Sequence, residues 1–469
     1  MTLDTARSCL RWTLLALLVL APLPFGSVEP WAVLTLEVAA ALLALGALLV
    51  MAHDPDGLAP GARRMLLPAA LLIGVGMVQL LPLPAVLLRL LSAPTADARS
   101  RIAAVVPELA GSWSPISLEP SATTDALLRL AAYVLLGLAA ATAFRTRGHL
   151  RQVAWAIAAS GTFQAIYGSA EYLTGHQHIF AYAKKYYADE ASGTFINRNH
   201  FAGYLAMTLP FALGLMLDGA RRLPKTRSIR ERLLGIGEAG SGRLLLGGAA
   251  AAAIWVGVIL SYSRGGLAVA LVGTAFLAYR VTLRRSRAWL LAAALLVPTT
   301  LLMWQQVRAP GERFVSERSD LATLSGRVPV WRASLTMVPG HWVAGTGLGT
   351  FESAFETYRP PAVVGGWDHA HNDWIEALTD GGPLALGAAA VLLLLALGWR
   401  SRGEPGRGES DLVRAAASAS IVAIAVYSLA DFSLRMPAIA LLLAVTVPMA
   451  VCRSTSDAPA GGTVLAHRR

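Results

Sequence analysis

The sequence predicts an all-α, polytopic integral membrane protein with about 12 transmembrane helices and one large outer loop between the ninth and tenth spans. Three observations predict this class. Of the 469 residues, 55% are hydrophobic and only 15% are charged, whereas soluble domains carry about 25% charged residues. The apolar residues are grouped in runs of roughly 20, the length that crosses a bilayer as a helix. The basic residues collect in alternate connections between these runs.

The apolar runs set the predicted elements in chain order. They are 12–28, 31–51, 65–83, 126–144, 152–173, 200–217, 244–262, 265–283, 288–304, 373–399, 413–431 and 435–452. The first run is short and contains Pro22 and Pro24, so a cleavable signal peptide is the alternative to a first span. Removing that run would invert the charge bias of every later loop, and the sequence therefore favours a retained span.

The net charge of +11 indicates membrane topology rather than a nucleic-acid partner. A net charge of +15 lies on the two termini together with the loops 52–64, 145–151, 218–243, 280–287 and 400–414. The other parts of the chain carry a net charge of −4. Because Lys and Arg are enriched in cytoplasmic loops, we expect both termini in the cytoplasm.

The outer loops differ in kind from the short basic ones. The segments 84–120, 174–199 and about 305–371 are long and rich in aromatic, His, Gly and Pro residues. Loops of such length are usually functional. In the largest loop, apolar residues recur at helical spacing between 326 and 339, which predicts an amphipathic helix at the outer membrane interface.

Two arginines on the outer side stand in unusual surroundings. Arg264 lies in Ser-Tyr-Ser-Arg-Gly-Gly, at a tight hairpin between two spans. It is either an arginine that snorkels to the membrane surface or a ligand-binding group made accessible by the glycines. Arg327 opens the amphipathic helix, where the helix dipole disfavours a cation. The free N–H groups at a helix start bind anions, so Arg327 and the helix start could bind an anionic ligand together. A plain surface arginine is the alternative for Arg327 and for Arg332, one turn further on.

Two histidines precede the tenth span in Trp-Asp-His-Ala-His-Asn-Asp-Trp. His369 and His371, with Asp368 and Asp373, have side chains that can ligate a metal ion. A neutral imidazole at an opening that the membrane shields is also suited to accept a proton from a hydroxyl near pH 7. A third interpretation is that His371, Asn372 and Asp373 only cap the next helix.

The loop before the sixth span ends in a further group of polar residues. Asn197 or Asn199 is expected to cap that span. Arg198 and His200 add hydrogen-bond donors that face the same compartment, so binding is the alternative to a purely structural role.

Taken together, these motifs resemble the O-antigen ligase and polymerase superfamily. In chain order they are Gly-Thr-Phe-Ile-Asn-Arg-Asn-His (193–200), Ser-Tyr-Ser-Arg-Gly-Gly (261–266), Ser-Gly-Arg-Val-Pro-Val-Trp-Arg (325–332), Gly-Thr-Gly-Leu-Gly-Thr-Phe (345–351) and His-Ala-His-Asn-Asp-Trp (369–374). The resemblance covers roughly residues 190 to 395. The earlier and later spans match only as hydrophobic scaffold.

The resemblance implies a metal-independent glycosyltransferase without a cofactor, which takes its glycan from an undecaprenyl-diphosphate donor at the periplasmic face of the bacterial inner membrane. It implies His371 as the catalytic base, with Arg264 and Arg327 neutralising the diphosphate leaving group. A one-step displacement would invert the anomeric carbon. The residues expected to bind substrate are Arg332, Arg198, His369, Asn372 and His200.

The resemblance also divides the chain into three regions. We expect an N-terminal transmembrane scaffold with periplasmic loops (1–190), a catalytic region (191–399) that includes the periplasmic loop 305–372, and C-terminal helices with a cytoplasmic tail (400–469).

The sequence does not distinguish between the possible acceptors of the glycan. A ligase would use lipid A core, a polymerase would use a second lipid-linked repeat unit of O-antigen or exopolysaccharide, and protein O-glycosylation is a third alternative. The ligase is the favoured interpretation. A polysaccharide transporter or flippase would carry paired charges or broken helices near the middle of the membrane, whereas most ionisable residues here lie at span ends, with Glu37 and Arg129 as the main exceptions.

Overall fold

The computed structural model describes residues 2–54, 57–223, 239–282, 327–398 without 362 and 364, and 409–452, and these are mostly helical. Seven helices among them are long and apolar enough to cross a membrane, namely Pro30–His53, Arg63–Leu80, Pro120–Ala143, Arg198–Arg222, Gly240–Leu260, Arg264–Val281 and Asp373–Ala396. The predicted all-α, multi-pass membrane protein is confirmed to that extent. The predicted ninth span, 288–304, lies outside the described residues.

In the first part of the chain most helices overlap the predicted runs, whereas the two between residues 85 and 105 lie in the segment 84–120 that was predicted as an outer loop. They are α1 (Leu3–Leu20), α2 (Pro30–His53), α3 (Arg63–Leu80), α4 (Ala85–Leu91), α5 (Ala93–Val105), α6 (Pro120–Ala143) and α7 (Arg147–Thr174), followed by the strands β1 (His178–Ile179) and β2 (Tyr182–Ala183). Helix α1 ends before the predicted run does, because Pro22 and Pro24 lack the backbone N–H that would extend it. Thr146 caps the start of helix α7, where its side chain accepts a hydrogen bond from His149 N. Gly175 caps the end of the helix in the left-handed conformation.

The second part of the chain continues the bundle. Its helices are α8 (Arg198–Arg222), α9 (Ala239–Leu260), α10 (Arg264–Thr282), α11 (327–337), α12 (Phe351–Phe355), α13 (Asp373–Ala396), α14 (Glu409–Tyr427) and α15 (Pro437–Val451). Asn197 caps α8, as the sequence predicts, and its side chain accepts a hydrogen bond from Asn199 N.

Helix α8 is the central element of the described bundle. It is buried along almost its whole length and packs against α7, α9, α10 and α14. Small residues permit this packing, since a Cβ at Gly247 of α9 would lie 2.6 Å from the backbone N of Met216. Close contact between helix backbones of this kind is typical of helix pairs in membranes.

The helix that follows the His-Asn motif is broken near its middle. Gly382 has a φ of 69° and precedes Pro383, so the hydrogen-bond ladder of α13 is interrupted there. The Gly-Thr-Gly-Leu-Gly-Thr-Phe loop fills the gap, with Thr346 N donating to Thr379 O and Gly347 N donating to Asp380 O. The motif thereby bonds the outer loop to α13.

The large outer loop has a small core of its own. The predicted helix is present as α11, but its residues Val330 and Met337 are buried against Phe351 and Phe355 of α12. The described part of this loop is therefore a folded unit that carries its own apolar contacts. Leu335, on the other side of α11, is exposed.

The contacts at helix ends and connections form two groups according to the side of the membrane that the charge pattern predicts for them. In one group, Asp54 pairs with Arg7 and Arg145, and Asp218 pairs with Arg222 and Arg243. In the other group, Leu118 N donates to Thr346 O, and Ala191 N donates to Leu260 O. The second group contains the loops that the charge pattern predicts on the outer side.

Candidate functional site

The starts of two helices and the end of a third are joined by hydrogen bonds on the side of the second group of loops. Ser263 Oγ donates to Asn199 Oδ1 at 2.8 Å, and Tyr427 Oη donates to Asn199 O at 3.0 Å. Ser263 comes directly before α10, Asn199 lies in the first turn of α8, and Tyr427 ends α14. The motifs at 193–200 and 261–266, distant in sequence, therefore meet here.

The His-Asn motif is attached to the segment 428–436, which connects α14 to α15 and is called the α14–α15 turn below. Asn372 Nδ2 donates to Leu429 O at 2.9 Å, and its Oδ1 caps α13 by accepting from Trp374 N and Ile375 N. Asp373 N donates to Ser428 O at 2.9 Å. The capping role considered for Asn372 is thus present, and it also fixes the motif to the turn.

The large outer loop reaches the same turn through α11. Arg327 donates from Nη1 to the carbonyl of Ala430. On the same helix, the indole N–H of Trp331 donates to Ala370 O at 2.8 Å. Helix α11 therefore holds both the α14–α15 turn and the backbone between His369 and His371.

A histidine and a buried carboxylate face each other at the centre of this arrangement. Nδ1 of His371 lies 3.7 Å from Oδ1 of Asp431, whose side chain is 3% exposed. On the other side of the carboxylate, Nε2 of His200 lies 4.0 Å from Oδ2. These two histidine nitrogens and Oδ1 of Asp431 are buried and have no hydrogen-bond partner within the described residues. The backbone φ of His371 is +51°, a conformation that residues other than glycine rarely adopt.

The electrostatics of Asp431 favour its ionised form. Burial acts to raise the pKa of this carboxyl, whereas His371, His200 and Arg327 lower it, and the pKa ends below its ordinary value. Ser433 Oγ also donates to Asp431 Oδ2 at 3.2 Å. Asp431 therefore presents a negative charge to the imidazole of His371.

Phe432 lies against three histidines at once. Its ring centroid is 4.5 Å from that of His369, 4.7 Å from that of His371 and 4.9 Å from that of His200. His369 stacks on the ring, and the other two meet its edge or face at steep angles. His200, His371, Asp431 and Phe432 are called the histidine centre below.

His369 belongs to a second histidine–carboxylate pair. Its Nδ1 lies 3.2 Å from Oε2 of Glu376, a buried residue of α13. Arg435 of the α14–α15 turn donates to the same oxygen at 2.8 and 3.1 Å and reaches Asp380 Oδ2 at 3.3 Å. Gly349 N donates to Asp380 Oδ2 at 3.0 Å. A continuous polar network thus joins the glycine-rich loop to His369.

Arg435 is the cation that balances these buried carboxylates. Burial acts to lower the pKa of its guanidinium, but Glu376, Asp380 and Asp373 raise it above its ordinary value. Removing this charge would leave uncompensated buried carboxylates, which is costly in a low-dielectric interior.

The other predicted site residues lie around this core. Arg264 is exposed at the start of α10, directly after Ser263, and Arg332 is exposed on α11. Arg198 pairs with Glu190 at 2.7 Å. His200 is buried behind Phe432, so its side chain faces Asp431 rather than the solvent.

Among the site residues that were not predicted from the sequence are Glu376, Asp380, Asp431, Phe432 and Arg435. A signal was present for two of them, since Asp431 and Arg435 are charges at the two ends of a tight apolar hairpin between the last two predicted spans. Charged residues in such a position mark functional or structural sites. Glu376 and Phe432 carried no comparable signal.

Metal ligation by the histidines of this site finds no geometric support in the described residues. Within those ranges, no three His, Asp or Glu side chains of the site bring their ligand atoms close enough together for a single ion. The carboxylates of Glu376 and Asp380 are instead engaged by Arg435.

Comparison with known protein families gives one match. The family model described as O-antigen ligase matches residues 249–390, which run from within α9 into α13. This segment contains Arg264, Arg327, His369 and His371, and it ends before the α14–α15 turn. A comparison with curated proteins found no match. The family match confirms that the chain resembles the O-antigen ligase superfamily over residues 249–390.

Proposed function

We propose that this protein is a glycosyltransferase that transfers a glycan from an undecaprenyl-diphosphate-linked donor to a lipid A core acceptor at the periplasmic face of the bacterial inner membrane. The family match supports an O-antigen ligase or polymerase type of function. The observation that carries the proposal is the His371–Asp431 pair, which brings the family segment into contact with the α14–α15 turn. A histidine beside a buried carboxylate is suited to general-base catalysis, because the carboxylate can orient the imidazole.

In the proposed reaction, His371 is the base. Asp431 accepts a hydrogen bond from Nδ1–H of His371, which leaves Nε2 to take the proton of the acceptor hydroxyl. The separation of 3.7 Å is long for this hydrogen bond, and catalytic hydrogen bonds often tighten only when substrate is bound. The acceptor oxygen attacks the anomeric carbon while the bond from that carbon to the diphosphate breaks. One displacement inverts the anomeric configuration, and undecaprenyl diphosphate leaves.

The arginines stabilise the charge that develops on the leaving diphosphate. A planar guanidinium donates two parallel hydrogen bonds to phosphate oxygens, which a point charge does not. Arg327 is positioned through its bond to Ala430 O, directly before Asp431. Arg264 stands exposed at the neighbouring helix start. Together they supply positive charge without a metal ion or cofactor.

The other predicted binding residues take different roles in this proposal. His200 and Phe432 support Asp431 and His371 from behind, so they are positioning residues. His369 is oriented by Glu376 and stays a substrate-binding candidate. Arg198 is largely buried in its ion pair with Glu190, whereas Arg332 is exposed on α11.

A polysaccharide transporter is the alternative from another class, and α13 provides an observation in its favour. This helix is broken at Gly382 and carries buried Glu376 and Asp380. Both carboxylates, however, are held by Arg435 and by the backbone of the outer loop. Such a closed network favours a fixed structural connection over a moving ion path.

The test is a transfer assay with purified protein in proteoliposomes and a purified undecaprenyl-diphosphate-linked glycan. With lipid A core present, we expect one glycan added per acceptor, with inverted anomeric configuration. Growth of longer lipid-linked glycan from the donor alone would assign a polymerase instead. Movement of donor across the bilayer without any product would overturn the proposal in favour of transport. His371→Ala serves as the inactive variant, with His53→Ala as its matched control, because His53 is exposed at the end of α2.

A further inference from the structure

A second group of chemistry-bearing side chains lies at the base of the β1–β2 hairpin. Glu171 is in the last turn of α7, His176 follows that helix, and His178 opens β1. One ligand atom from each of these three side chains lies within 4.8 Å of the other two. Within the ranges that the structure describes, this is the one group of three His, Cys, Asp or Glu side chains with such spacing.

We propose that Glu171, His176 and His178 bind one zinc ion, with a water molecule as the fourth ligand. Imidazole nitrogen and carboxylate oxygen are donors that zinc prefers, and two histidines with one glutamate form an established ligand set. Zinc holds its ligands at about 2.0–2.2 Å. Ligand atoms already within 4.8 Å of one another reach that geometry by side-chain rotation.

Backbone and side-chain contacts already orient the ligands. His178 N donates to Glu171 Oε2 at 2.8 Å, and His178 Nδ1 contacts the carbonyl of His176, which leaves Nε2 of His178 for the ion. His176 Nδ1 lies 2.8 Å from Glu171 Oε2, and the two imidazole rings stack with centroids 4.0 Å apart. A ligating histidine typically holds its second nitrogen against a carbonyl or a carboxylate, as His178 does with the carbonyl of His176.

The ligands differ in their exposure to solvent. The side chain of His176 is 59% exposed, whereas that of Glu171 is 13% exposed. An ion can therefore enter past His176 and meet a shielded carboxylate. Lys184 also faces this negative charge, and its Nζ is held by Gln177 Oε1 at 3.2 Å and Glu190 O at 3.3 Å.

A bound ion would fix the hairpin to the end of α7. The hairpin leads through Lys184 to Glu190, and Glu190 pairs with Arg198 at the start of α8. The zinc site would thus stabilise a loop that ends beside the histidine centre while taking no part in the transfer reaction. It concerns metal binding alone and does not depend on the proposed function.

The experiment measures zinc retained by the full-length, untagged protein in detergent. The protein is stripped with chelator, dialysed against ZnCl2 and then against metal-free buffer, and zinc is counted by mass spectrometry. We expect one zinc per chain in the wild type and in His53→Ala, and loss of that zinc in His178→Ala. CoCl2 in place of ZnCl2 should give the visible absorption of four-coordinate cobalt in the wild type and lose it in His178→Ala.

Glu171→Gln provides a second variant, because its amide oxygen can still accept from His178 N while the ligand charge is lost. It should fold like the wild type and retain less zinc. His371→Ala should keep its zinc. Failure of the wild type to retain zinc, or equal zinc in wild type and His178→Ala, would overturn the proposal. Loss of zinc in His371→Ala together with retention of zinc in His178→Ala would also overturn the proposal, because it would assign the metal to the histidine centre.

Proteolysis tests the effect on the hairpin independently of activity. Lys185 is exposed directly after this hairpin, so a lysine-specific protease should cut there. ZnCl2 should slow this cleavage in the wild type and leave the rate unchanged in His178→Ala. Equal rates with and without zinc in the wild type would contradict a role in fixing the loop.

Discussion

Nδ1 of His371 lies 3.7 Å from Oδ1 of Asp431, across the contact between the His-Asn motif and the α14–α15 turn. Neither atom has a hydrogen-bond partner within the described residues, although both are buried. A buried carboxylate is costly unless it is paired. Because the two atoms do not bond each other at this distance, neighbouring contacts keep the residues close. Phe432 packs against His371, and Asn372 bonds the carbonyl of Leu429.

The first prediction concerns this pair. His371→Ala should lower kcat by about 10²–10⁴-fold, the contribution of a general base, with little change in donor binding. Asp431→Asn keeps the shape but loses the charge that holds the imidazole, and it should lower kcat on the order of 100-fold. Asp431→Glu should recover part of the loss. Rates are measured in membranes at matched expression.

Asp97→Asn is the matched control, since Asp97 forms an exposed ion pair with Arg89. It should behave like the wild type. Full activity in His371→Ala would exclude it as the base, and a larger loss in His369→Ala would transfer that role to the His369–Glu376 pair.

The second prediction separates charge from geometry at the two proposed phosphate-binding arginines. Arg264→Lys and Arg327→Lys keep a positive charge but lose the planar fork, so each should still insert in the membrane and lose about 10²-fold in transfer rate. Arg89→Lys, at an exposed arginine, should show wild-type rates. Unchanged turnover in both site variants would mean that a point charge, or no charge, suffices there.

The third prediction concerns metal independence of the transfer step. The His178→Ala variant, which lacks the proposed outer zinc site, should transfer glycan at the same rate with and without EDTA, because the arginines carry the charge neutralisation. If chelation stops this variant and zinc or manganese restores it, His369, His371 and Asp368 become metal ligands.

The fourth prediction follows from His341, which is buried against Ser92 and Tyr358. Burial lowers the pKa of its imidazole to about 4. Between this value and the ordinary pKa of about 6.5, the unfolded chain binds a proton that the folded chain does not. Folding stability should therefore fall as pH drops from about 7 towards 4.

His341→Gln removes this titration while keeping a side chain that can bond Ser92. At pH 5, its acid-induced loss of stability should be smaller than that of the wild type by on the order of 1–2 kcal/mol. Thermal unfolding in detergent at pH 7 and pH 5 gives the comparison, with His53→Gln as control. Parallel losses in wild type and His341→Gln would show that other groups cause the pH dependence.

The fifth prediction concerns topology. Reporter fusions after Arg243 and near Arg407 should report the cytoplasm, and a fusion within 311–358 should report the periplasm, because the basic residues mark the cytoplasmic loops. A cytoplasmic signal from the large loop would place every proposed catalytic residue on the wrong side for a periplasmic donor.

The membrane class and the order of the helices could be predicted from the amino-acid sequence, because both depend on local composition. Runs of about 20 apolar residues need no tertiary partner to be recognised. Arg264 and His371 were candidates from the sequence alone, because they stand in motifs short enough to be recognised along the chain. The cap at Asn197 was predictable for the same reason, since a cap bonds only to the next turn.

Which of these groups lie next to one another depends on the packing of the helices. Asp431 and Arg435 follow the motif segment in the chain, and they meet His371 and Glu376 because the α14–α15 turn packs against the start of α13. Helix packing also buries His200 and turns the apolar side of α11 towards α12. These outcomes depend on helix packing and on balancing buried charges between segments far apart in sequence, which no local pattern encodes.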